Sequence, residues 1–369
     1  MTLTKQDALY CAGIFENYFA KFNRIDEYMR DQKIASLDKL EISGLFPPED
    51  ELFNAFDMHP NDMEFDIFEP PNKTWETLVG ITSSHINIAP VGRNVRLAVK
   101  EKNTDKYVGF IRLGSPVINC KPRNEMLGQV FTQNEKSSKS FNKCSMMGFV
   151  IVPAQPFGFN YLGGKLLAAI TTSHKVREIV NKKYDMNLCL FETTSLYGSS
   201  KTVSQYDGMK PYLRYKGLTD SDFLPLMHGK TYHNLKNFVE TRIGGNIVPE
   251  NSSSQKLKIS MKIISMIKAG LKGSSELSKF NEVITDAKKL TEQKRYYISN
   301  YGFKNYIDVV NGKTDVLIKD ENYDKFELEN IIGWWKNKAS NRYETLSKEG
   351  RLRKDLEVWT SGKEIDIIR

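Results

Sequence analysis

The chain has 369 residues, a formal net charge of +8, 40% hydrophobic and 11% aromatic residues, enough to build a sizeable core and against a disordered chain. No apolar run is long enough to span a bilayer, MTLTKQDALYCAGIF lacks a secretory pattern, and Cys11, Cys120, Cys144 and Cys189 lack metal-ligand or disulfide spacing. These features point to the reducing cytoplasm, without membrane contact, and the charge favours an anionic partner such as DNA; an ordinary lysine-rich composition gives the same total.

In chain order, Tyr10, Ile14, Phe15, Tyr18, Phe19, Phe22 and Ile25 mark one face of a helix over 4–32, with Thr4 as N-cap. Pro47-Pro48 breaks the chain before a short amphipathic helix over 49–58. Glu49, Asp50, Glu51, Asp62, Glu64 and Asp66 make residues 1–80 an acidic helical arm, suited to a protein partner. Residues 94–100 and 106–114 alternate as the strands of a hairpin. Residues 132–143, TQNEKSSKSFNK, read as a polar loop.

Phe149–Val152 is a short apolar run, ended by Pro153. Gly158, Gly163 and Gly164 follow, and then Leu166, Leu167, Ile170, Val176 and Ile179 recur at helical spacing. Residues 188–192 read as a second buried strand, 203–209 as a short helix and 211–216 as a strand. Residues 81–245 therefore form an α/β core. A Gly/Pro/Ser stretch near 246–254 opens a basic helical domain, 246–369, with helices over 259–271, 280–300 and 326–346. Its lysine-rich outer faces suit DNA.

A glycine-bearing turn that opens a helix presents unpaired N–H groups to a phosphate; tight strand–helix packing uses the same glycines. The order strand, Val-x-Pro, Gln155-x-x-Gly158, Gly-Gly-x-Leu-Leu resembles the acyl-CoA pyrophosphate loop of the GNAT acyltransferase superfamily, with Asn160 where the second glycine usually stands. The resemblance implies a GNAT-like mixed sheet. It also implies acetyl-CoA or another acyl-CoA held by Val152, Gln155, Gly158, Asn160, Gly163 and Gly164.

Residues 161–219 resemble the DruA family of anti-phage and mobile-element proteins through Leu162-x-x-Lys165-Leu166-Leu167, the apolar strand ending in Glu192-Thr193, a Gly/Ser loop, a Tyr, and an aromatic strand ending in Gly217-x-Thr219. The layout is also similar to the phage Mom DNA-modification proteins. These resemblances imply Tyr206 as general acid, Glu192 as general base, and His85 as a catalytic group, with His85 and Glu192 as ligands of a divalent metal. For Tyr206 and Glu192, a structural hydroxyl and a capping carboxylate remain open. Tyr212, Arg214 and Tyr215 alternate along one strand and suit an unpaired base; filling a sheet face is the alternative. Lys288, Lys289, Arg351 and Arg353 are further DNA contacts on this reading. His228 and His233, five apart, have the wrong spacing for adjacent helical turns.

Two functions follow as expectations. One is a phage or mobile-element DNA-modifying acyltransferase-like enzyme. The other is a non-catalytic DNA-binding or assembly protein on a GNAT-derived scaffold.

Overall fold

The computed structural model describes residues 3–37, 47–84, 86, 92–117, 119–131, 135–195, 204–219, 226–250, 255–290 and 294–359. In chain order the elements begin with α1 (Lys5–Phe19), α2 (Ile25–Leu37), α3 (Pro48–Glu51), β1 (Phe65–Phe68) and α4 (Asn72–Thr82). Next come β2 (Asn94–Glu101), β3 (Lys106–Gly114), α5 (Lys121–Leu127), α6 (Glu135–Cys144) and β4 (Ser145–Pro153). Then follow α7 (Phe157–Tyr161), α8 (Gly163–Ile170), α9 (His174–Tyr184), β5 (Leu190–Thr194) and β6 (Arg214–Leu218). The remainder is α10 (Gly229–Ile243), α11 (Gln255–Gly270), α12 (Ser275–Lys289), β7 (Arg295–Ser299), α13 (Tyr306–Val310) and α14 (Leu328–Lys348).

Two compact units divide the chain: 1–39 with 220–293, and 40–219 with 294–369. The first is helical. Phe15, Phe19 and Tyr28 from α1 and α2 share a core with Leu235, Val239, Ile263, Ile267, Phe280 and Ile284 from α10–α12. A division after residue 80 falls inside α4, and residues 246–369 contribute to both units.

The second unit is mixed α/β around a seven-stranded sheet in the order β1-β2-β3-β4-β5-β7-β6. Strand alternation sorts the side chains to two faces. Val95, Leu97, Val99, Ile111 and Ile151 join Leu166 and Leu167 of α8 and Trp335 of α14. Ala98, Phe110 and Val150 face Trp75 and Leu78 of α4 on the other side. Gly109 permits the first layer to close: a Cβ there would stand 2.3 Å from Leu167 Cδ1.

All neighbouring strands are antiparallel except β4 and β5. That parallel pair requires a crossover, supplied by α7–α9. On its other edge β4 carries a bulge. Arg112 of β3 faces Val150 while Leu113 faces Gly148, so Phe149 is the extra residue. A bulge bends its strand. Pairing of β4 with β5 stops at the same point, with Gly148 opposite Thr193, while β4 continues along β3 to Pro153. The two central strands thus separate beyond Gly148.

Several expected elements differ. The single helix over 4–32 is broken between α1 and α2. The helix over 49–58 is one turn, α3, after which Leu52 bridges to Tyr107. Most of the supposed polar loop is α6, which buries Ser137, Phe141 and Cys144 on one face. The helix over 280–300 ends with α12, and Tyr296, Tyr297 and Ile298 are buried strand residues in β7. Aromatic and β-branched side chains suit that pleated sheet position.

Candidate functional site

The fork between β4 and β5 organises the candidate site. Thr193 donates its hydroxyl to the Gly148 carbonyl at 3.1 Å, tying the strands at their last paired position. Burial pushes the pKa of the Tyr206 phenol up, and the polar side chains of Thr193 and Gln205 oppose the shift. Tyr206 is 5% exposed, with its ring edge-on to Tyr297 at 5.3 Å.

The turn after Tyr206 is pinned from three sides. Asp207 accepts hydrogen bonds from the Ser204 amide at 2.9 Å, the Tyr297 hydroxyl at 2.7 Å and Arg295 Nη1 at 2.9 Å. Lys165 of α8 donates to the Asp207 carbonyl at 2.6 Å. Burial works to raise the carboxyl's pKa, but these hydrogen bonds and cations outweigh it and hold the group below its ordinary range. Asp207 is therefore an anion at neutral pH.

This turn borders a cleft of about 360 Å³ lined, among the described residues, by Tyr206, Asp207, Gly208, Met209, Lys210, Leu213, Tyr215 and Tyr297. Tyr215 is 50% exposed and lies 5.7 Å from Tyr297 between ring centroids. The Arg295 guanidinium stands 5.9 Å from the Tyr215 ring. Lys210 of the lining is exposed, while Arg214, beside Tyr215 on β6, pairs with Ile298 on the other face of the sheet. An aromatic floor with cations at its edge suits a planar, anionic ligand.

Glu192 is not part of this cleft surface. It is 1% exposed and takes Arg123 Nη1 at 3.1 and 3.3 Å and the Tyr296 hydroxyl. Burial raises its pKa, against the lowering influence of Arg123 and Tyr296. The Arg123 guanidinium also lies 4.5 Å from the Phe141 ring and donates to the Val117 carbonyl. The arrangement is a dry, paired charge, with its oxygens already engaged. His85 lies outside the described residues, and among those described no three His, Cys, Asp or Glu side chains come together as metal ligands.

The loop after β4 is largely satisfied from within. The Gly158 amide donates to the Ala154 carbonyl, the Phe159 amide to Gln155 Oε1 and the Asn160 amide to the Pro156 carbonyl. Residues 351–359 cross the loop. The buried Asn160 amide group pairs with both the carbonyl and the N–H of Arg353, at 2.8 and 3.1 Å. The Glu357 amide donates to the Gln155 carbonyl. Val152 is paired to Phe110 in the sheet. The Gly158, Phe159 and Asn160 amides, expected to face a pyrophosphate, thus already have partners within the chain. Gly163 and Gly164, the first residues of α8, pack on Phe157 and Gln205.

The remaining expected contacts scatter. Tyr212 is buried against Phe326 and Trp334 rather than displayed beside Arg214. Lys289 pairs with Asp286 on α12, where Lys288 is half-buried. Arg351 pairs with Glu349, and Arg353 with Glu357 while stacking 3.9 Å from the Phe159 ring. Reasoning from sequence missed Arg123, Arg295, Tyr296 and Tyr297; the YY pair in RYYIS was the available signal for the last two.

The segment that builds the fork and reaches this cleft is also the part with a recognised relative. Residues 76–209 match the family model for Druantia protein DruA. The chain is also 27% identical over 168 residues to the Druantia protein DruA of Escherichia coli (strain UMEA 4076-1), a match covering 42% of this chain and 38% of that protein. The matched region therefore spans well under half of the curated relative. No solved structure matches the chain. The DruA-matched segment includes β2–β5, the fork, Thr193, Tyr206 and Asp207, but not β6, β7 or α10–α14. No described helix is long and apolar enough to cross a membrane.

Proposed function

We propose that the α/β unit is a DNA-binding module of a DruA-like anti-phage component. The observation that carries this reading is the cleft: tyrosines form its floor, Lys210 lines it, and the Arg295 guanidinium stands at the Tyr215 ring. Aromatic platforms and phosphate-seeking cations are the two components of sequence-tolerant nucleic-acid binding. The net charge of +8 acts in the same direction at long range.

Acyl transfer is a second reading, favoured by a specific feature. The mixed sheet in which a bulged β4 parts from parallel β5 supports it, because the GNAT resemblance implies a mixed sheet. Tyr206 stands at that fork. Against it, the Gln155–Asn160 groups are engaged internally and Glu192 is locked to Arg123.

Calorimetric titration separates the two. The DNA-binding reading expects binding heat with a DNA oligonucleotide and none with acetyl-CoA. Saturable binding of acetyl-CoA without binding of DNA would overturn it in favour of the acyl-transfer reading.

A further inference from the structure

The cleft has a shape that discriminates between forms of nucleic acid. Its volume of about 360 Å³ lies at the small end of ligand pockets, roughly 300–1,000 Å³. That is a size for one planar ring system, not for a turn of duplex. Tyr215 sits on β6, the edge strand of the sheet, and half of its surface meets solvent. Tyr297 on neighbouring β7 backs it, and Tyr206 lines the interior. Met209 and Leu213 supply apolar walls.

A base inside a duplex has both faces covered by its neighbours. A tyrosine stacks on it only when the base is unpaired or turned out of the helix. Two cations are placed for the accompanying backbone: Lys210 lines the cleft, and the Arg295 guanidinium stands 5.9 Å from the Tyr215 ring. Asp207 lines the same cleft as an anion already accepting three hydrogen bonds. Its charge disfavours a phosphate in the interior and leaves that space to a neutral base.

We infer that this cleft binds one unpaired base of single-stranded DNA, stacked on Tyr215, with the flanking phosphates at Lys210 and Arg295. The inference rests on the reading of the unit as DNA-binding and adds the strand state and the stacking residue. Because every base has a π-face, the site accepts all four with modest preference.

The test uses fluorescence anisotropy on the full chain, with a labelled oligo(dT) strand and a labelled duplex of equal length. Wild type, Tyr215→Ala and Tyr215→Phe are compared. The wild type binds the single strand more tightly than the duplex. Tyr215→Ala weakens single-strand binding about tenfold, the loss of one base–aromatic stack, and leaves duplex binding unchanged. Tyr215→Phe, which keeps the ring, retains wild-type affinity. Equal affinity of wild type and Tyr215→Ala for the single strand overturns the inference while the DNA-binding reading stands. Absence of binding to either form overturns both. A Tyr215→Ala protein that loses affinity for acetyl-CoA but not for oligo(dT) overturns the assignment by giving the cleft to a CoA-type ligand.

Discussion

At the scale of single residues, Glu192 separates a structural carboxylate from a catalytic one. It ends an apolar run and suggests chemistry when read in sequence. In the fold it and Arg123 are both essentially without solvent contact. A buried pair contributes little over an apolar replacement of the same shape, but removal of one partner leaves an uncompensated charge. Glu192→Leu is therefore expected to lower stability by about 3–5 kcal/mol in urea unfolding. Glu192→Leu with Arg123→Met restores most of it. A Glu192→Leu protein of unchanged stability would contradict the structural role. Arg123 lies 69 positions upstream, so no local spacing signals the pair. Tyr206 stands out in sequence as a Tyr after the strand and the Gly/Ser loop; its edge-on packing against Tyr297, far downstream, does not. Tyr212 and Tyr215 were read onto one strand, but Tyr212 precedes β6 and packs against Trp334, which buries it.

At the scale of elements, the hairpin β2–β3 and the strand–loop–helix from β4 to α8 were legible because their period-2 and period-3.6 patterns are strong. The bulge at Phe149 was not, since apolar residues stand on both sides of it and the pattern runs on unchanged. Residues 132–143 are so polar that α6 was hidden; only Ser137, Phe141 and Cys144 turn inward. The largest surprise at this level is the segment 351–359, which lies across the loop instead of offering arginines to a partner. Val358 and Trp359 are buried, and the Trp359 amide donates to the Ile81 carbonyl at 2.7 Å. A chain ended after Gly350 loses that apolar burial and both partners of the Asn160 amide. It is expected to be about 3–6 kcal/mol less stable in urea unfolding, from the Trp contribution plus unsatisfied polar groups. An unchanged unfolding midpoint would show that the segment is dispensable to the fold.

At the scale of the whole molecule, composition located a change near residue 246, but the physical division is discontinuous. The helices of 220–293 are inserted between β6 and β7 and fold with residues from the start of the chain. Only the fold reveals that the ends of this insertion meet. The Thr219 amide donates to the Lys294 carbonyl at 2.8 Å, and the Lys294 amide to Thr219 Oγ1 at 2.9 Å. A chain covering 40–219 joined by a short Gly/Ser turn to 294–369 is therefore expected to fold, with β6 and β7 as a simple hairpin. A cooperative thermal transition by circular dichroism, with strand content retained, is the expected outcome. A molten, non-cooperative profile would show that the helical unit is needed to complete the core.

The DNA-binding reading is tested most directly by affinity for single-stranded DNA across a salt series. Wild type is compared with a protein carrying Lys210→Gln and Arg295→Gln. Each phosphate contact contributes about −0.7 to the slope of log K against log salt for single strands. The wild type is expected to bind with a negative slope, and loss of two cations to reduce that slope by about 1.4. Identical slopes for the two proteins, or no binding at low salt, would contradict the assignment of this cleft to DNA.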